Sequence, residues 1–214
     1  MNRFLVVLSA PSGAGKTTIA RALMETRDDV GYSVSATTRS PREDEVDGVD
    51  YHFVDAEEFA ARLAEGEFLE SAKYGDQWYG TLESEVNQVL ASQRHVILDI
   101  EVQGAGAVRG RRNDVVSIFI LPPSAAALVE RLGGRNTENP DNLASRLRTA
   151  VYELRYAEKY DYIVINDDKG QAVAEVSAII DVEEKRPRRY KELSDMLATL
   201  GKDLKAEADN LVSR

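Results

Sequence analysis

The stretch Ala10-Pro11-Ser12-Gly13-Ala14-Gly15-Lys16-Thr17 decides how this chain is read. Immediately before it, Phe4-Leu5-Val6-Val7-Leu8 is an uninterrupted apolar run, the pattern of a strand buried on both faces of a parallel sheet. Immediately after it, Lys16–Thr26 carries small and aliphatic residues at helical spacing. A glycine-containing loop between a buried strand and a helix turns successive backbone N–H groups onto an anion and adds the positive end of the helix dipole. Such a loop cradles the phosphates of a nucleoside triphosphate, which makes Ser12, Gly13, Ala14, Gly15, Lys16, Thr17 and Thr18 candidate ATP-binding residues. Gly15 lets the backbone approach a phosphate that a Cβ would block. Lys16 neutralises the β- and γ-phosphates, and the Thr17 hydroxyl is placed to ligate Mg²⁺. Ala10 stands where the strict pattern has its first glycine, which is harmless only if residue 10 keeps a negative φ.

Outward from this unit the alternation repeats. His95–Ile100, Val115–Leu121 and Tyr162–Ile165 are apolar runs of strand length, and helical patterns cover Ser124–Leu132, Asp141–Ala157 and Gln171–Val182. This predicts an α/β fold, a parallel-sheet core with helices on both faces. The rhythm breaks between about Tyr32 and Tyr79, where Tyr32–Ser35, Tyr51–Val54 and Phe68–Tyr74 are short strand candidates. Asp55-Ala56-Glu57-Glu58 has the spacing of a capping box and opens a short helix there. The expected organisation is a core of residues 1–34 and 95–182, an inserted lobe with a mixed or antiparallel sheet over about 35–94, a short lid over about 133–145, and a charged helical extension over 183–214. In the extension Leu193, Leu197, Leu200, Leu204 and Leu211 recur at 4-3-4-7 spacing, with Glu207 interrupting the seam. That stripe fits either a helix packed on its own subunit or partly frayed, or one that pairs with a second copy in a homo-oligomer.

Composition narrows the function. The 214 residues can bury about 70% of their unfolded surface, ample for one core. Lys and Arg number 27 against 37 Asp and Glu, a net charge of −10 that argues against bulk attraction to nucleic acid or anionic membranes. There is no cysteine, hence no disulfide, thiolate nucleophile or cysteine metal site, and His52 and His95 lie too far apart in sequence to suggest a zinc centre. No apolar run approaches the ~18 residues of a membrane span. Phe4–Leu8 is too short for a signal peptide, so the expected compartment is the cytoplasm.

A second anion site is suggested by Thr37-Thr38-Arg39-Ser40-Pro41-Arg42, two arginines close together in an acidic chain, although a solvated loop pair would look the same. Ile97-Leu98-Asp99-Ile100-Glu101 ends a buried strand in carboxylates, with Asp99 placed to order Mg²⁺, directly or through water. Gly133–Pro140 is a polar loop between helices, flanked by Arg131 and Arg146. Arg148 reads as a solvated helix residue, and Arg109, Arg111 and Arg112 as a solubilising turn.

With these segments in order, the chain resembles a guanylate kinase. Ala10–Thr17, Ser35–Arg42, Gly48–Phe53, Glu67–Glu70, Tyr79–Thr81, Ile97–Gly104, Arg131–Glu138 and Ile163–Asp168 carry the likeness, which runs from about Phe4 to Asp181. The resemblance implies a P-loop nucleoside monophosphate kinase that moves a phosphoryl group from MgATP to GMP. It implies that Ser35, Arg39, Arg42, Tyr51 and Tyr79 hold the GMP phosphate, where guanidinium forks and hydroxyls suit phosphate oxygens. It further implies that Glu70 accepts from guanine N1–H and the exocyclic amine while Thr81 donates to O6. Adenine lacks both partners, and a buried polar site rejects such an analogue by about 10⁴–10⁵. Glu101 stands where the family usually has Asp as a second guanine contact. Arg135 and Arg146, with Lys16 and Arg39, are implied to act on the transferring group; Arg131, Asn166 and Asp167 border the ATP. Asn136 stands where the family more often has Gly.

Two other classes fit parts of the pattern. Guanylate-kinase-like domains of scaffolding proteins bind phosphorylated peptides and have lost ATP chemistry, but Gly15, Lys16, Thr17, Asp99 and Arg135 are all present here. A P-loop kinase for another phosphorylated acceptor is the remaining alternative, against which Glu70 and Thr81 argue.

Overall fold

The computed structural model describes residues 3–133 and 140–212. The chain opens with β1 (Leu5–Ser9), α1 (Lys16–Thr26) and β2 (Val30–Tyr32), then enters a lobe of β3 (Ser35–Thr37), β4 (His52–Phe53), α2 (Ala56–Ala64), β5 (Phe68–Tyr74) and β6 (Gln77–Leu82). It returns through α3 (Glu83–Ala91), β7 (His95–Asp99), α4 (Val102–Arg111), β8 (Val115–Leu121), α5 (Ala125–Gly133), α6 (Pro140–Leu154), β9 (Tyr162–Ile165) and α7 (Lys169–Glu184), and continues into α8 (Leu193–Val212).

Five strands form a parallel sheet in the order β2-β7-β1-β8-β9. The central strand explains why its sequence does not alternate. Phe4, Val6 and Leu8 point into a core built with Ile19 and Leu23 of α1 and Val176 and Ile180 of α7. Leu5 and Val7 point the other way, into Val86 and Val89 of α3 and Val102, Ala105 and Val108 of α4. Helices cover both faces, so Leu5 to Leu8 are all apolar, and the buried Ser9 that ends β1 donates its hydroxyl to the Ile100 carbonyl at 2.8 Å. Each fully buried aliphatic side chain there contributes about 1.5–3 kcal/mol.

The lobe is a four-stranded mixed sheet, β4-β3-β6-β5, with β3 and β4 parallel and the other pairs antiparallel. Ala36, Phe59, Phe68 and Leu82 form its small core, with Trp78 packed against it. Asp55 caps α2 as its spacing predicts, its carboxylate accepting from the Glu58 N–H at 2.8 Å.

Three expectations are corrected. Tyr32–Ser35 is not one lobe strand: Tyr32 pairs with Ile97 in the core sheet, and Ser35 pairs with Thr81 in the lobe sheet, so the chain changes sheets across Ser33 and Val34. Arg109, Arg111 and Arg112 are not a solubilising turn. They end α4, where Arg111 donates to the Phe68 and Leu69 carbonyls at 3.2 and 2.8 Å and ties helix to lobe. Arg109 lies over the Tyr160 ring, and Arg112 pairs with Asp114 at 2.7 Å. Finally, α8 is not packed on its own subunit, since none of its described residues is buried. Arg148 is exposed on α6, as expected. No helix among the described residues is long and apolar enough to cross a membrane.

Candidate active site

The phosphate loop is shaped by two left-handed glycines, Gly13 at φ +86° and Gly15 at φ +95°. Ala10 meets its condition, because among the described residues Gln93 is the only non-glycine with a positive φ. At Gly15 space is as limiting as conformation: a Cβ would lie 2.3 Å from Nδ2 of Asn166. That amide donates to the Ala14 carbonyl at 2.7 Å, so the side chain after β9 braces the loop from behind. The backbone carbonyl of Asn166 accepts from Arg131 at 2.9 Å.

Lys16 opens α1 and reaches across to the end of β7. Its Nζ lies 2.8 Å from Asp99 Oδ1 and donates to the Ile100 carbonyl at 3.0 Å. The Thr17 hydroxyl donates to the other oxygen, Asp99 Oδ2, at 2.6 Å. Two sequence-distant predictions thus converge on one carboxylate, a cluster of hard oxygen donors beside a phosphate loop that suits Mg²⁺.

One participant was not anticipated. Glu153 of α6 is buried, and its Oε2 accepts from the Ser12 N–H at 3.1 Å. Arg146, seven residues earlier on the same helix, donates to Ser12 Oγ at 3.2 Å. Seven residues are about two turns, so one face of α6 addresses Ser12 twice. Burial pushes the Glu153 carboxyl above the usual carboxylate range, with the Ser12 N–H and Lys16 opposing it.

On the lobe side, Glu70 of β5 lies opposite Thr81 of β6, just after a register shift. Both are buried, and Glu70 Oε1 accepts from the Thr81 hydroxyl at 2.6 Å and its N–H at 3.1 Å. Burial pushes the Glu70 carboxyl up, against those two bonds. The other oxygen faces the start of α4, where a Cβ on Gly104 would lie 2.4 Å from Glu70 Oε2. Glu101 caps that helix, accepting from the Gln103 and Gly104 N–H groups at 2.8 and 2.6 Å. The proton that Thr81 was expected to offer guanine is therefore given to Glu70 here.

Arg39 likewise differs from expectation. Its fork holds Glu45 through two 2.8 Å bonds, with the Tyr51 and Phe53 rings 5.4 and 5.7 Å away. The Arg39 pair holds the Glu45 carboxyl below its ordinary value. Burial, with the negative charge of Asp99 adding to it, pushes the Tyr51 hydroxyl up to about 12. Nε of Arg39 and Nη1 of Arg131 are buried without a hydrogen-bond partner, donors that an arriving anion can satisfy.

A single cleft of about 680 Å³ joins the two sides. Ser12, Gly13, Gly15, Lys16, Thr17, Thr18, Asp99, Arg131, Arg146, Asn166 and Asp167 line it from the core, and Ser35, Arg42, Tyr51, Glu70 and Tyr79 from the lobe, with Glu101 between. Of the predicted residues, Ala14, Arg39 and Thr81 do not line it, and Arg135 lies outside the described residues, as does Asn136. Glu153, Tyr74 and Lys169 also line the cleft, and sequence reasoning missed them. For Glu153 the only available signal was its seven-residue offset from Arg146.

Asp29, His95 and Glu184 form a separate cluster with ligand atoms within 4.8 Å of one another. Its charge is already met by Arg3, whose Nη1 lies 2.9 Å from His95 Nε2 and 2.7 Å from Glu184.

Comparison with known proteins agrees with this geometry. A family model described as guanylate kinase matches residues 2–183. The guanylate kinase of Clostridium perfringens (strain SM101 / Type A) is 48% identical over 188 residues, covering 88% of this chain and 87% of that one. That of Symbiobacterium thermophilum is 47% identical over 185 residues, 86% of this chain and 88% of the relative. The crystal structure of guanylate kinase from Anaplasma phagocytophilum superposes with a TM-score of 0.77 at 32% identity, covering 92% of this chain and 94% of its own.

Proposed function

Since the chain belongs to the guanylate kinase family and phosphorylates GMP to GDP at the expense of ATP, we propose how its own residues divide that work. The single cleft lined by the phosphate loop on one side and Glu70 on the other carries the assignment. The triphosphate lies on residues 12–18, with Lys16 against the β- and γ-phosphates and Arg131 and Asp167 beside the nucleotide. Asn166 acts from behind, holding the loop through Ala14. GMP lies in the lobe, which we draw as the strands between Ser35 and Leu82. Its phosphate meets Ser35, Arg42, Tyr51 and Tyr79, and draws Arg39 away from Glu45. Guanine N1–H and its amine donate to Glu70, with Glu101 as the second carboxylate. Thr81 holds Glu70 in place and can turn its hydroxyl to O6.

The reaction is an in-line displacement. A GMP phosphate oxygen forms a bond to the γ-phosphorus, the bond to the β,γ-bridging oxygen breaks, and that oxygen leaves on ADP. No covalent enzyme intermediate is required, because the acceptor oxygen is already nucleophilic. The protein positions two polyanions and neutralises their repulsion with Lys16, Arg39, Arg146 and, as the resemblance implies, Arg135. Thr17 and Asp99 would hold Mg²⁺, which when bound neutralises phosphate charge. We place the reaction in the cytoplasm, where both nucleotides are available.

The test is ADP release with a panel of nucleoside monophosphates. GMP is expected to exceed AMP and CMP in kcat/KM by about 10⁴ or more. Comparable turnover of all three would overturn the guanine assignment while leaving the phosphate loop in place.

A further inference from the structure

The extension after α7 is fixed at its root, and none of the residues of α8 is buried. Glu183, buried at the end of α7, takes Arg189 at 3.0 Å and the Tyr162 hydroxyl at 2.7 Å. The Arg189 guanidinium lies 3.9 Å from the centroid of the Phe4 ring beneath the parallel sheet. From this anchored turn α8 runs 20 residues, about 30 Å, without burying one of them. Leu197, Leu200, Leu204 and Leu211 are 53–64% exposed and lie on one face. The family match ends at residue 183, so the helix lies outside the part of the chain that the family describes.

We infer that α8 is a homodimerisation helix that pairs antiparallel with α8 of a second copy. The stripe is self-complementary in that direction. Leu193, Leu200 and Glu207 occupy one set of seam positions and Leu197, Leu204 and Leu211 the other. Running two copies antiparallel sets Leu200 against Leu204 and Leu193 against Leu211, with Glu207 facing Leu197 rather than its own copy. A parallel pair would instead press two Glu207 carboxylates together in the seam, a costly like-charge contact. It would also crowd two bodies of about 180 residues at one end of helices that pack only 8–10 Å apart. The antiparallel pair separates the bodies by a helix length. Ser194, Gly201 and Ala208, at seven-residue spacing, form a flank of small side chains that allows close approach. Asp203 falls on the opposite rim, where salt screens it. Covering the stripe on both helices removes on the order of 1,000 Å², the lower bound for a specific interface.

The test is sedimentation velocity of the full chain across the micromolar range. The natural sequence should pass from monomer to dimer, and raised salt should favour the dimer. The double variant Leu200→Glu/Leu204→Glu should weaken association at least ~100-fold while kcat/KM for both nucleotides stays unchanged. A monomer at every concentration, or a dimer retained by the double variant, would refute the inference. The direction is read separately, because the chain has no cysteine of its own. Gly201→Cys should form a disulfide-linked dimer under oxidation, and Leu211→Cys should not. Cross-linking through residue 211 alone would overturn the antiparallel pairing.

Discussion

Replacing Gly15 by alanine tests the brace behind the phosphate loop. The residue sits at φ +95°, which costs an L-side chain about 1–2 kcal/mol. The added Cβ would also lie 2.3 Å from Asn166 Nδ2, so the amide must withdraw from the Ala14 carbonyl it now meets at 2.7 Å. Both groups are buried, and an unsatisfied buried partner costs about 1–3 kcal/mol. The sum is about 2–5 kcal/mol, or roughly 4–20 °C in Tm for a chain of this length. Thermal unfolding of Gly15→Ala, Asn166→Ala and the double variant separates the two parts. Removing the Asn166 side chain makes room for the Cβ and the lost bond counts only once, so the double variant should be more stable than the sum of the singles by about 1–3 kcal/mol, its deficit relative to Asn166→Ala being mainly the φ strain. The KM for ATP should rise in Gly15→Ala and the KM for GMP should not. Strict additivity, or a Gly15→Ala protein with unchanged Tm and ATP kinetics, would refute the brace.

Glu70→Gln exchanges a charged acceptor for an amide whose NH₂ opposes the guanine donors; about 3–4 kcal/mol is lost, so kcat/KM for GMP should fall roughly 10²–10³-fold with ATP kinetics little changed. The same variant has a signature without ligand. Burial raises the Glu70 carboxyl, so the folded chain holds that proton more tightly than the unfolded chain, and stability falls as pH rises from the ordinary carboxylate range through the folded value. The Tm difference between Glu70→Gln and the natural sequence should therefore grow in favour of the variant over that window, and a constant difference would contradict it. At Glu153, glutamine keeps an acceptor for the Ser12 N–H and should retain most activity, whereas leucine strands that N–H and should raise the ATP KM about tenfold or more; equal losses in both would show that charge, not acceptance, matters. Lys16→Ala should abolish transfer and leave GMP affinity, read by calorimetry, within a few-fold of the natural value.

What was legible in the sequence was whatever is local. The apolar run Phe4–Leu8, the glycines after it and the Lys16-Thr17 pair specify strand, turn and helix within a short stretch, and the structure places them accordingly. Helix α4 escaped notice because Gly104, Gly106 and Gly110 depress its propensity; it forms because Glu101 caps it and Val102, Ala105 and Val108 bury against the sheet. The change of sheet at Ser33 and Val34 carries no glycine or proline to mark it. Residue types pointed to Lys16, Asp99 and Arg39, and the family resemblance to Glu70, but neither pointed to their present partners. The Glu45 carboxylate on Arg39 depends on loop geometry, and Glu153 reaches Ser12 only once α6 has packed on α5.

Those partners change what it means for a nucleotide to arrive. Lys16 is already matched by Asp99, Arg39 by Glu45, and the Ser12 amide by Glu153. A phosphate therefore does not settle onto bare positive charge; it must displace the protein's own side-chain carboxylates, tethered and always at hand. A lone small anion engages too few donors at once to win that competition. A nucleotide brings base, sugar and phosphate together and can do so, which leaves the cleft of an acidic protein quiet toward the common anions around it.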